Sequence, residues 1–175
     1  VNADMNRDWE ANYQIYVESV RECCKLAKEA GLKVLIEAHP YRWIHNVDGM
    51  LRLYEKVGMD NLGFNFDPSH LHQSGEIPQC AIYQLRGKLH HVHLSDNDTF
   101  TNAHWRPGQG KMDWPAIIKA LSDIGYDGGL SLELEDVPGA CSKFIPATPA
   151  IKDELRLSVQ YLERVFAELG LKLEK

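Results

Sequence analysis

Glu37 closes the apolar run of GLKVLIEAHP, residues 31–40, directly after Val34, Leu35 and Ile36. Those three residues read as a strand buried on both faces, and a carboxylate at the end of such a strand must be paired, protonated or bound to a metal. The same arrangement recurs three times: LGFNFDPSH reaches Asp67, KLHHVHLSD carries His93, and GGLSLELED carries Glu133. Four strand ends converging on one site would bring three carboxylates and an imidazole together, a hard, oxygen-rich set suited to a divalent cation. Spacing leaves two choices open. His91 and His93 share a face under period-2 alternation, and so do Glu133 and Glu135. Asp67 before Pro68 also fits the start of a turn.

The elements that must position these groups follow from periodicity and punctuation. Residues 6–30 place Trp9, Tyr13, Tyr16, Val17, Val20, Cys24 and Ala27 at helical spacing, with Gly31 as the stop. Asn46 is suited to cap a helix through Met50, Leu51, Tyr54 and Val57 that Gly58 ends. A strand at 62–67 follows, then a helix opened by Pro78 and ended by Gly87, then a strand at 89–94. A polar loop at 95–112 leads to Asp113 as N-cap and to a helix striped by Ile117, Ile118, Leu121 and Ile124. The strand at 130–133 and a loop holding Pro138, Pro146 and Pro149 precede a last helix marked by Ile151, Leu155, Leu162, Val165, Phe166 and Leu169. A helix followed by four strand-helix units calls for parallel strands with helices outside, and strand C-terminal ends are where such folds place their chemistry. A complete barrel of eight units typically takes about 250 residues. The expectation is a single domain over residues 1–175 that forms half of a barrel.

Composition excludes more than it selects. With 44% hydrophobic and 25% charged residues the chain has the make-up of a globular domain. A net charge of −6 without a Lys/Arg run argues against a nucleic-acid partner. No apolar run approaches the roughly 20 residues of a membrane span and no signal-peptide pattern opens the chain, so no membrane partner and a cytoplasmic location are expected. Cys23, Cys24, Cys80 and Cys141 have neither metal nor disulfide spacing and are expected to be reduced thiols.

IEAHP, FDPSH, HVHLSD, HWRPGQGKMDW and GYDGGLSLELE, in this order, resemble the C-terminal half of the xylose isomerase-like TIM-barrel sugar isomerases and epimerases, including the D-tagatose 3-epimerase and inosose dehydratase branches. The resemblance implies a (β/α)8 TIM barrel of which this chain covers a helix and four βα units. It implies that Glu37, Asp67, His93 and Glu133 hold one divalent metal ion and that Glu37 and Glu133 also exchange protons with a sugar or polyol substrate. It selects His93 over His91 and Glu133 over Glu135, and it gives contact with a substrate oxygen to His70. His104 and Arg106, from the HWRPGQGKMDW motif, are candidates for substrate contact from the loop, and Trp43, as a loop aromatic, is a candidate for an apolar wall. Mn²⁺ is the first choice, with Mg²⁺, Co²⁺ or Zn²⁺ as alternatives. Such a cation would act as a Lewis acid on adjacent carbonyl and hydroxyl oxygens, stabilising the enediolate left by proton removal.

Departures from the family pattern bear on the substrate. Trp43 stands where the tagatose-epimerase branch has a second carboxylate, and Thr99 stands where that branch has an arginine. Endonuclease relatives carry Asp-x-His in the long loop, whereas this chain reads Asn102, Ala103, His104, which disfavours a phosphodiesterase. The readings are therefore a metal-dependent isomerase or epimerase, an inosose-type dehydratase, or an inactive barrel fragment. The open edges and inner face of a half-barrel call for a missing N-terminal half or a homo-oligomeric partner.

Overall fold

The computed structural model describes residues 8–135 and 149–173. Helix α1 (Trp9–Glu29) starts where the Asp8 carboxylate accepts the Ala11 N–H. Strand β1 (Val34–Glu37) leads to α2 (Val47–Val57), whose first turn is capped by Asn46 accepting from the Gly49 N–H at 2.9 Å. Gly58, at φ 64°, closes α2 in the left-handed conformation that a residue without Cβ adopts freely. Strand β2 (Leu62–Phe66), helices α3 (Pro68–Gln73) and α4 (Pro78–Gln84) and strand β3 (Leu89–Leu94) follow. Helix α5 (Trp114–Asp123), capped by Asp113, strand β4 (Gly129–Leu132) and helix α6 (Pro149–Glu168) complete the order.

The strands form one parallel sheet in the order β1-β2-β3-β4, a section of a barrel wall. Leu62, Phe64, Phe66, Val92 and Leu94 are buried in one core with Val17, Leu53, Ile82, Ile117, Leu121 and Leu162 of the helices. Alternation sends Glu37, Asn65, His93 and Ser131 to the opposite face, where they are half-buried.

Three expectations change. The strands are not buried on both faces: β1 is half-buried throughout, because the core of described residues lies against one face of the sheet. The strand expected to reach Asp67 ends at Phe66, and Asp67 instead caps α3, a helix too short to leave a periodic signal. The last strand spans Gly129–Leu132, leaving Glu133 just beyond it. In the polar loop at 95–112, Ser95, Asp96 and Asn97 are fully buried, and an isolated antiparallel bridge joins Asp96 to Trp105.

The pairing of β2 with β3 shifts register, Phe64 opposing Leu89 and Asn65 opposing His91, so that β3 has one extra residue, His90. The bulge turns His90 as well as His91 toward the inner face. A Cβ on Gly63 would lie 2.2 Å from the His90 ring, so the glycine makes room for it. Pro138, Cys141 and Pro146 lie outside the described residues. Among the described residues no helix is long and apolar enough to cross a membrane.

Candidate metal centre

Each of the four strand-end groups arrives from a different part of the sheet. Glu37 is the last residue of β1, Asp67 caps α3 immediately after β2, His93 lies in β3, and Glu133 follows β4, its N–H bonded to the Leu94 carbonyl at 3.3 Å. One ligand atom from each lies within 4.8 Å of the others. His93 Nδ1 is 2.7 Å from Glu133 Oε2 and 3.1 Å from Glu37 Oε1. Hydrogen bonding to Glu133, then to Glu37, pushes the His93 imidazole up to about 10, against the opposing effect of burial.

Asp67 is the buried member. Its Oδ1 accepts from the Ser69 N–H at 2.7 Å, while Oδ2 is buried without a hydrogen-bond partner among the described residues. His104 Nε2 stands 3.5 Å and His70 Nε2 3.8 Å from that oxygen. Burial alone would raise the Asp67 carboxyl, but the nearby imidazoles of His104 and His70 and the Ser69 N–H outweigh it and hold the group at about 2. An ionised, buried carboxylate with an unmatched oxygen beside two further carboxylates and an imidazole is a donor set that fits a hard divalent cation. Glu37, Asp67, His93 and Glu133 are the residues that could hold it.

Asp67, His70 and His104 form a second, fully buried group of potential ligands. The His70 ring lies 4.1 Å from that of His39 and 4.9 Å from that of His104, centroid to centroid, and His70 Nδ1 is 2.8 Å from Asn102 Oδ1. Three connections at the C-terminal end of the sheet thus meet through imidazoles.

Asp96 holds the last of these connections in shape. One carboxylate oxygen accepts from the N–H groups of Asn97 and Met112 at 2.9 and 3.2 Å. The other accepts from Gly108 N–H and Trp114 Nε1–H, both at 2.9 Å. Gly110 packs so closely that a Cβ there would meet Asp96 Oδ1 at 2.2 Å. His104 is the residue this loop delivers to Asp67.

The other sequence candidates lie further out. Glu135 Oε2 is 3.9 Å from His104 Nδ1, on the histidine rather than in the four-residue cluster. Arg106 Nε is 3.1 Å from Glu154 Oε2 of α6. Trp43 packs on the core with its ring 5.9 Å from that of Trp9. Sequence reasoning passed over His39, Asn65 and Asp96, and weighed Asn102 only as a departure from the endonuclease pattern. Asn65 had a signal, being a polar residue at an inward strand position two before Asp67. The roles of Asp96 and Asn102 depend on how a long loop folds back, which no local pattern encodes.

A model of the family described as xylose isomerase-like TIM barrel matches residues 2–162. The chain belongs to that family. Its fold is that of a section of such a barrel, consistent with the parallel sheet order. Among curated relatives, the inosose dehydratase of Lacticaseibacillus casei is 26% identical over 147 residues, covering 72% of this chain and 48% of that protein. The inosose isomerase of Bacillus licheniformis is 29% identical over 126 residues, covering 67% and 45%. D-psicose 3-epimerase from Clostridium cellulolyticum H10, solved with D-tagatose, superposes with a TM-score of 0.76 at 22% identity, covering 94% of this chain and 60% of that one. The chain spans about half the length of the curated relatives it matches.

Proposed function

We propose that this chain carries the metal centre of a divalent-metal-dependent isomerase or epimerase acting on a sugar, ketose or related polyol. The observation that carries the reading is the placement of Glu37 and Glu133. They come from the two outer strands of the sheet, yet both reach the same nitrogen of His93, at 3.1 and 2.7 Å. A small substrate seated over His93 would have a carboxylate on either side. One would remove the proton beside a carbonyl, and the other would return it from the opposite face, inverting that carbon. Return of the proton to the neighbouring carbon would exchange aldose for ketose. A cation held there, Mn²⁺ by preference, would supply Lewis acidity to adjacent carbonyl and hydroxyl oxygens. His70 and His104 would hydrogen-bond a substrate oxygen beside Asp67, a reading supported by their approach to that carboxylate. Trp43 would wall the site, and Arg106 would reach substrate only by leaving Glu154.

Relatives named as inosose dehydratases support a second reading, elimination of water after the same proton removal. The wall opposite the open inner face would be supplied by an upstream segment of a longer polypeptide or by a second copy. Light scattering tests the second copy: a dimer supports it, and a monodisperse 19.9 kDa monomer excludes it.

Incubation with Mn²⁺ and ketohexoses, ketopentoses or inosose in D₂O tests the chemistry. Deuterium gained beside the carbonyl with the water content of the product unchanged supports the isomerase, and loss of water supports the lyase. Exchange that survives in both Glu37→Gln and Glu133→Gln contradicts the two-carboxylate mechanism.

A further inference from the structure

We propose that Asn65 is a positioning residue of the cation site, a role that rests on the metal-centre reading above. Asn65 pairs in register with Glu37 on one side and His91 on the other, at the middle of the inner face. Its Nδ2 donates to Glu37 Oε1 at 3.1 Å and lies 3.2–3.3 Å from both ring nitrogens of His93. One amide thus sits between two of the four ligand side chains. Its hold on Oε1 would leave the other Glu37 oxygen for a cation, and its amide packs against the His93 ring.

Stability does not explain the residue. Barrel interiors are filled mainly by Val, Ile and Leu, and Asn65 Oδ1 is buried without a hydrogen-bond partner among the described residues. A buried acceptor left unpaired is unfavourable, so an apolar residue of similar size would hold the sheet at least as well. What an apolar residue could not supply is the donor to Glu37. Groups that orient metal ligands in this way typically change metal affinity by about 10–100-fold when removed.

The test uses the full chain with Mn²⁺ followed by calorimetry and Co²⁺ followed by its visible absorption bands, in wild type, Asn65→Ala and Asn65→Ser. Neither variant reaches Glu37, so one folded variant is sufficient. We expect Mn²⁺ affinity to fall about 10-fold or more and the cobalt bands to shift, with the thermal midpoint of chelator-treated protein unchanged. Affinity within twofold of wild type with the same cobalt spectrum overturns the proposal. So does a weakened affinity that comes with a lowered midpoint and an unshifted spectrum, the pattern of a purely structural residue. If wild type itself takes up neither ion, the metal-centre reading fails and this proposal fails with it.

Discussion

The two faces of the sheet are built from the same four strands and do opposite things. The outer face presents Leu62, Phe64, Phe66, Val92 and Leu94, all buried against helices. The inner face presents Glu37, Asn65, His91, His93 and Ser131, half-buried and polar. On the outer face close packing makes each side chain a contributor to stability. On the inner face three carboxylates crowd one imidazole, an arrangement that folding alone does not favour. The contrast separates residues that hold the wall from residues that use it.

The largest expected effect lies on the outer face. Phe64→Ala removes a fully buried ring and should destabilise the chain by about 3–5 kcal/mol in chemical denaturation. Mn²⁺ affinity of the fraction still folded should be unchanged, and a comparable loss of affinity would erase the distinction between the faces. Asp96→Asn comes next, because an amide cannot accept all four N–H groups that converge on that carboxylate. A loss of about 1–3 kcal/mol is expected, read by denaturation together with faster solvent exchange at Trp114 Nε1–H.

The inner face should answer to pH where the outer face does not. In chelator-treated protein the His93 imidazole sits at about 10 rather than the ordinary 6.5, so its charged form stabilises the fold. That contribution is complete below about pH 6.5 and is lost as pH rises through about 10. The stability gap between wild type and His93→Gln should therefore shrink from pH 7 to pH 10, and a gap that widens would reverse the assigned charge. The smallest effect belongs to Arg106→Ala, which breaks a partly exposed pair with Glu154 and should cost about 1 kcal/mol or less. A large loss of substrate affinity in that variant, measured with its stability unchanged, would move Arg106 back toward the site.

What the sequence reveals divides along the same line. The outer face follows period-2 and period-3.6 patterns closed by local caps, so Asn46, Gly58 and Asp113 are legible as helix ends and function as such. That strand ends carry polar groups is legible too, because Glu37, Asp67 and a polar residue of each later strand interrupt apolar runs, but the choice of His93 over His91 and Glu133 over Glu135 rests on the family resemblance; the four side chains so chosen do cluster. The β-bulge at His90, the six-residue helix α3 and the loop organised by Asp96 are not legible. Each is fixed by contacts between segments distant in sequence: Gly63 against His90, Asp67 against His104, Asp96 against Gly108 and Trp114.

Titration of the chelator-treated chain with Mn²⁺ by calorimetry tests the central claim most directly. The account predicts one tight site per chain, with affinity lowered by about 100-fold or more in each of Glu37→Gln, Asp67→Asn, His93→Ala and Glu133→Gln, and by far less in Glu135→Gln. Absence of binding in wild type would contradict it. So would binding that survives Glu133→Gln and disappears in Glu135→Gln, which would place the fourth ligand on the other glutamate.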